Sequence, residues 1–373
     1  MSVGNRTWRI DYFPLGSTTG TQLQNVLDIR ITRTGSATDN KAEVILTSVQ
    51  GAGIAEGAVI YKADEAFKIY AAQGDIDITN VAHLMGTYTI LDSSIDIQAR
   101  TITIMLMDRT YDVLSKIYVG DLNDTVPNII ANVYQTVSND RSALTNIATV
   151  KSDASSFASI EYYVFNKTAY EVLNDLSQPN FTGDDRTYIF WVDETDTLNW
   201  VYPGQTPESQ AFAAGSDPLI ATKIAKSESN VVSMIIYNAG PDKDGNDYVD
   251  FYLAPNADAI KGRMRYEEMR YLSKDLAVTS FWTSSTNAQV QTELKIRAED
   301  NGRRIVNQIG TGLWQASLTV EGGQYDFGGL YNVEAPDFGF PTTLLRLDRI
   351  THTMNKNGWS TTLTLKQDAE SLN

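Results

Sequence analysis

Thr101-Ile102-Thr103-Ile104-Met105-Leu106 puts Ile102, Ile104 and Leu106 on one side of an extended chain and Thr101, Thr103 and Met105 on the other. A period of two with one apolar side marks a half-buried antiparallel strand. Ser360-Thr361-Thr362-Leu363-Thr364-Leu365 repeats the pattern near the other end of the chain. Each strand runs into an acidic helix-start signal, Asp108-Arg109-Thr110-Tyr111 in one case and Asp368-Ala369-Glu370 in the other. Threonine alternation is common in any half-exposed sheet. It is also what two duplicated β-domains around an inserted piece would leave behind.

Working outward from the first strand, residues 1–108 read as β-structure. Asp28-Ile29-Arg30-Ile31, Val44-Ile45-Leu46-Thr47, Phe67-Lys68-Ile69-Tyr70 and Asp75-Ile76-Asp77-Ile78 all alternate, and Gly51-Ala52-Gly53 supplies a turn. Short strands with glycine-rich turns suit a small sandwich or barrel. The period then changes. Val126, Ile129, Ile130, Val133, Tyr134 and Val137 form one stripe of an amphipathic helix, with Asp124 or Thr125 as N-cap and Pro127 in the first turn. Thr168-Ala169-Tyr170-Glu171 is a capping box for a second helix that buries Val172, Leu173 and Leu176. A hairpin follows, Tyr188–Val192 and Leu198–Tyr202 around the polar turn Asp193–Thr197, so 109–215 reads as α+β.

From 216 onward strands return, among them Val231–Tyr237 and Tyr248–Tyr252. One long helix is expected from about 287 to 307, capped by Thr286 or Asn287. Its pairs Glu293/Arg297, Glu299/Arg303 and Asp300/Arg304 lie opposite Val290, Leu294, Ala298 and Ile305. The final strands, Leu344–Thr351 and Trp359–Leu365, are joined through Asn357-Gly358, a hairpin signal. The expected fold is α+β and β-rich: two small β-barrel-like domains, 1–108 and 216–373, flanking a middle α+β domain, 109–215.

Composition narrows the function. The chain has 373 residues, room for two or three domains, and its 42% hydrophobic and 20% charged content is that of a globular protein. Cysteine is absent, which removes disulfides, thiolate metal sites and cysteine nucleophiles. Thirty Lys and Arg against 46 Asp and Glu give a formal charge of −16, which opposes a nonspecific grip on nucleic acid or anionic lipid. The acidity is uneven. Residues 111–215 hold 5 basic and 14 acidic side chains, against 9 and 12 in 1–110 and 16 and 20 in 216–373. Met1–Arg6 carries no apolar core before a small-residue cleavage site, and no stretch reaches the roughly 18 apolar residues of a membrane span. Synthesis in the cytoplasm is therefore expected, and the sequons at Asn5, Asn123, Asn166 and Asn180 carry no weight.

Motifs for chemistry mostly fail. Gly-x-Ser-x-Gly is missing, and the Walker-like string Gly240–Gly245 is followed by Asn246-Asp247 where Lys-Ser/Thr is required. The two histidines, His83 and His352, stand apart without a metal-binding spacing, and read as satisfied or surface residues. Asp242-Lys243-Asp244-Gly245-Asn246-Asp247, with Asp250 at position 9, resembles a calcium loop. However, Asp247 stands where Gly is required and Leu253 where a bidentate Glu is required. A solvated hairpin turn is the favoured reading, with an adventitious calcium ion as the other. Trp191, Trp200 and Tyr202 either pack a core or an interface, or form a platform on which sugars stack. No catalytic, cofactor or metal residue is singled out.

The C-terminal phrases are more specific. Gly328-Gly329-Leu330-Tyr331-Asn332-Val333, Gly339-Phe340-Pro341, Leu347-Asp348-Arg349-Ile350-Thr351-His352 and Asn357-Gly358-Trp359-Ser360-Thr361-Thr362-Leu363-Thr364-Leu365 follow in order. Together they resemble the closing barrel of bacteriophage tail baseplate hub proteins. Ala66–Tyr70 with Gly74–Asp77, and Thr168–Leu176 leading to Leu198–Pro203, resemble the same family, so the likeness covers most of the chain. The resemblance implies a structural homotrimer without catalytic residues or cofactors. Its paired barrel-like domains would form a six-fold-like ring joining the tail tube protein to the central spike or tip protein, beside other baseplate proteins. DNA would pass through its channel without specific binding, and the chain would reside in the virion. The segment 240–285 and the turn Thr18-Thr19-Gly20 depart from the family pattern. The acidic middle segment, with Asp184, Asp185, Asp193, Glu194 and Asp196, is either a solvated face or a border of that channel. The competing expectation is a virion or surface glycan-binding or glycan-cleaving protein using hairpin 188–202.

Overall fold

A computed structural model describes residues 6–14, 17–34, 40–47, 65–73, 83–139, 159–177, 188–192, 197–201, 207–215, 219–227, 234–253, 267–271, 285–292, 294–296 and 313–367, with Ile78, Asn80 and Glu299. The first strands are β1 (Arg6–Phe13), β2 (Thr21–Gln22), β3 (Val26–Thr34), β4 (Lys41–Thr47), β5 (Ala66–Gln73), β6 (Leu84–Asp96) and β7 (Thr101–Asp108). The middle run is α1 (Arg109–Leu114), β8 (Ile117–Thr125), α2 (Val126–Asn139), β9 (Ser159–Thr168), α3 (Ala169–Leu176), β10 (Ile189–Val192) and β11 (Leu198–Val201). Then come β12 (Pro207–Ala213), β13 (Leu219–Ser227), β14 (Met234–Pro241), β15 (Asp247–Leu253), β16 (Glu267–Tyr271) and helical residues 287–292 and 294–296, here α4. The last strands are β17 (Leu313–Glu321), β18 (Leu330–Ala335), β19 (Phe340–Asn355) and β20 (Gly358–Lys366).

The β-rich α+β class holds, with the strands gathered into large antiparallel sheets. Thirteen strands form one sheet in the order β13-β17-β20-β19-β3-β4-β7-β6-β5-β1-β2, with β18 on β19 and β12 parallel to β18. The terminal regions are expected as two barrel-like domains flanking the middle one. They are continuous through β3 and β19, which pair from Arg349↔Thr34 to Asn355↔Asp28, and the described strands form no closed barrel. The physical reason is length. At 16 residues β19 is long enough for the edge opposite β20 to take β18 along Phe340–Arg346 and β3 along Arg349–Asn355.

Three apolar clusters lie beneath these elements. One gathers Ile10, Ile29, Ile31, Val44, Phe67, Ile104 and Leu106, with Met354 and Trp359 reaching in from the last hairpin. A second holds Phe212, Leu318, Tyr331, Leu345, Leu363 and Leu365. The third belongs to the middle run, where the whole predicted stripe of α2 is buried. Strand burial follows the sequence pattern closely: Ile102, Ile104 and Leu106 are buried and Thr101 and Thr103 half-exposed.

Helix ends form where the side chains specify them. Asp108 accepts from Tyr111 N–H at 3.0 Å and caps α1. Thr168 and Glu171 complete the capping box of α3. Asp124 accepts from Thr125 N–H at 2.7 Å and from Asn128 Nδ2 at 2.9 Å at the entry to α2. The last turn of α2 has no basic residue of its own, and Lys116 Nζ donates to the Val137 carbonyl there at 2.7 Å. In α4, Thr286 and Gln289 cap each other reciprocally, and Val290 and Leu294 are buried as expected.

Residues 300–307 of that helix, and with them two of its three expected ion pairs, lie outside the described residues. So do the side chains of Glu293 and Arg297, the segment 75–77, the turn 51–53, the strand residues 231–233, the turn 193–196 and the second helix-start signal at 368–370. Ile78 stands in a turn rather than a strand. The two residues joining β19 to β20 are Lys356 and Asn357, with Gly358 already paired to Asn355 at φ +116°. Among the described residues no helix is long and apolar enough to cross a membrane.

Candidate functional site

Of the residues that sequence offered for chemistry, Asp242, His352 and Trp200 are engaged in structural contacts. In the calcium-like loop, Asp242 Oδ1 accepts from the N–H groups of Asp244 and Asn246, both at 2.9 Å. Its Oδ2 accepts from Gln291 Nε2 at 2.6 Å and from Asn287 Nδ2 at 3.4 Å. Asn287 also donates to Asp244 Oδ2 at 2.5 Å, and its own Oδ1 accepts from Lys243 N–H at 3.0 Å. These bonds, led by that of Gln291, hold the Asp242 carboxyl down at about 2. The lone pairs a cation would need are engaged by amides, and the loop serves to fasten the β14–β15 hairpin to the start of α4.

His352 is fully buried between β19 and β20. Trp359 Nε1 donates to its Nδ1 at 3.3 Å, which makes Nδ1 an acceptor and places the ring proton on Nε2. Thr361 Oγ1 lies 2.9 Å from the same nitrogen. Burial lowers the ring's pKa from 6.5 to about 3, with Arg33 adding to the effect. The satisfied-histidine reading therefore holds for His352, while His83 sits half-exposed.

The aromatic hairpin divides in two. Trp200 is entirely buried, stacked on Tyr188 with ring centroids 4.1 Å apart and planes within 10°, and its Nε1 donates to Ser177 Oγ at 2.8 Å. It offers no face to a sugar. Trp191 meets Phe327 edge-on at 6.0 Å, binding the middle run to the C-terminal sheet. Tyr202 lies outside the described residues, as do Asp184, Asp185, Asp193, Glu194 and Asp196.

What the structure does present is surface. Among the described residues the sheet ends on one side in β13, paired to β17, with Ile220, Thr222, Lys223 and Lys226 exposed along it. At the other end, among the described residues, β2 pairs with Asp11 and Tyr12 of β1. Beside β13 lies a groove of about 450 Å³ walled by Trp314, Phe338 and Phe340. A further surface went unseen in the sequence. On the β8–β9 ribbon, Tyr118, Leu122, Tyr162 and Val164 face the core, yet the opposite side shows Ile117, Val119, Tyr163 and Phe165, each 61–71% exposed. A register shift between Tyr118 and Gly120 coincides with Asn166 at φ +57°, a bulge beside Phe165. The sequence signal was there, in apolar residues on both faces of Ile117-Tyr118-Val119 and Tyr162-Tyr163-Val164-Phe165.

Comparison with known proteins decides what such a scaffold is similar to. No family model and no curated protein matches the sequence. Among solved structures, the 43 kDa tail protein of prophage MuSo2 from Shewanella oneidensis superposes with a TM-score of 0.65 at 14% identity, over 98% of this chain and 99% of that one. The fold is that of phage tail proteins. A tail protein from Neisseria meningitidis MC58 gives a TM-score of 0.61 at 11% identity over 97% and 96% of the two chains. The E. coli c3393 protein gives 0.50 at 11% identity over 95% and 76%. It is described as a type VI secretion component with structural similarity to the T4 tail proteins gp27 and gp5. The likeness to tail baseplate proteins that the C-terminal phrases suggested is thus present in the fold.

Proposed function

We propose that this chain is the structural hub of a phage-type tail, a homotrimeric ring in the virion that joins the tail tube to the central spike and surrounds the DNA passage. The observation that carries this reading is the end-to-end likeness to the MuSo2 tail protein, which leaves neither chain with a large unmatched part. In this reading 1–108 and 216–373 are the two barrel-like units, and three copies supply six of them around the axis, with 109–215 as the α+β domain between. Two further features support it. Among the described strands the two ends of the sheet, β13 and the β1–β2 edge, differ from each other and so offer two different surfaces for a head-to-tail contact. The exposed apolar face of β8–β9 is the kind of surface that marks a protein contact.

Function is then carried by surfaces rather than by a reactive centre, with the tube, spike and neighbouring baseplate proteins as partners. Native mass spectrometry of the purified chain tests the assembly. Three copies per particle, without turnover on polysaccharides, is the expected result. A stable monomer that cleaves a glycan would overturn the reading.

A further inference from the structure

Two unlike surfaces expose apolar side chains on either side of β7 in the chain. The first is the tip of the β6–β7 hairpin. Ile97 is 75% exposed there, and Arg100, at the end of the same turn, is exposed as well. Asp96 Oδ1 accepts from the Gln98 N–H at 2.9 Å and from the Ala99 N–H at 2.8 Å, and Arg100 leads back into β7 at φ +54°. A residue other than glycine persists in the left-handed region where its surroundings fix it. The tip is therefore a defined turn that presents one apolar side chain and one cation.

The second surface is the outer face of the β8–β9 ribbon. Between the pairs Tyr118↔Lys167 and Gly120↔Val164, Val119 stands against Phe165 and Asn166, so Ile117, Val119, Phe165 and Tyr163 form one apolar patch. The patch ends at Asp121, which is exposed and directly opposite Tyr163. The flanking lysines are engaged elsewhere. Lys116 Nζ donates to the Val137 carbonyl, and Lys167 pairs with Asp175 at 2.7 Å.

We infer that the β6–β7 tip of one copy docks on the outer face of the β8–β9 ribbon of the next, with Ile97 seated against Val119, Phe165 and Tyr163 and with Arg100 meeting Asp121. This rests on the homotrimeric reading and says where its copies touch. Charge complementarity selects a second copy as the occupant. Neither Arg100 nor Asp121 forms an ion pair among the described residues. A carboxylate beside an exposed aromatic ring suits a guanidinium, which takes the oxygens and the ring face together. Placement points the same way. The eight residues of β7, roughly 25 Å of strand, lie between the tip and the start of α1, and both patches stay bare within one chain. Because the patches differ, their contact is heterologous and can continue around a closed ring. Ribbon against ribbon would instead bring together two middle regions, each with 5 basic and 14 acidic side chains.

The chain has no cysteine, so introduced thiols report without background. Ile97→Cys with Val119→Cys, both at exposed positions, is treated in the purified full chain with a short bismaleimide. Covalent dimers and trimers are expected from the double variant and from neither single variant. A trimer by native mass spectrometry that yields no such product overturns the inference and leaves the hub reading standing. Joining of either single variant overturns it too, since like patches would then meet. A chain that stays monomeric fails the hub reading and the inference with it. Charge exchange gives a second readout without a linker. Arg100→Asp keeps a residue type that tolerates the left-handed turn. Arg100→Asp and Asp121→Arg should each raise the concentration needed for assembly at low salt by about tenfold. Combined, they should return it to within about twofold of wild type. Single variants that assemble like the wild type, or a combined variant weaker than either, would contradict the contact. Circular dichroism of each variant confirms that the chain is folded.

Discussion

His352 and Asp108 respond to pH in opposite directions. The ring of His352 takes a proton only near pH 3 in the folded chain, against 6.5 when free, so its contribution is complete above about 6.5 and is lost as pH falls toward 3. Asp108, at the β7–α1 junction, is raised from 3.8 to about 7 by burial, which outweighs the Tyr111 N–H bond and the Arg33 charge. Its contribution is present below about 3.8 and is lost as pH rises through about 7. Between pH 6.5 and 4 the two offset each other. Asp108→Asn retains an acceptor for the cap but removes the titration. Urea denaturation across that window should therefore show stability falling more steeply with acid in the variant than in the wild type; parallel profiles would contradict the assignment. Thr361→Val takes away one partner of the buried ring, and a loss of about 1–3 kcal/mol is expected from the same denaturation curves.

At the level of elements, caps and close approaches set the sensitive positions. Thr168→Ala removes the acceptor for the Glu171 N–H and should cost about 1 kcal/mol, read as a lowered Tm. Gly322, just past β17, lets that strand close on β20: a Cβ there would stand 2.2 Å from Trp359 Cδ2. Gly322→Ala should destabilise by about 1–3 kcal/mol through overpacking, and Trp359→Leu should relieve part of the strain in a double-mutant cycle. Helices were the most legible elements, because a period near 3.6 and a cap together fix both the face and the start, as the stripe Val126–Val137 and the box at Thr168 demonstrate. Strand faces were equally legible in Thr101–Leu106. Strand partners were not, since alternation says which side of Thr351 is wet and nothing about its neighbour being Thr32, some 319 positions away in sequence. The β8–β9 face was missed for a related reason: apolar residues on both sides of a strand read as core, and only the structure shows which side is left bare.

For the whole molecule, the charge of −16 and the continuous sheet belong to one account. A strongly acidic chain opposes a nonspecific grip on DNA. Among the described strands the order ends in two unlike edges, which offers the two different surfaces a head-to-tail contact uses. With no disulfide available, the stability of such a particle rests on packing and on subunit contacts. Replacing exposed apolar residues on the β8–β9 face, for example Tyr163→Glu with Phe165→Glu, should leave the isolated chain folded by circular dichroism while reducing incorporation into tails severalfold. Unchanged incorporation would remove that face from the assembly. The central claim is tested most directly by electron cryomicroscopy of tails carrying this chain. The account predicts three copies closed into a ring on the tail axis, between tube and spike; a chain found singly, or off the axis, would contradict it.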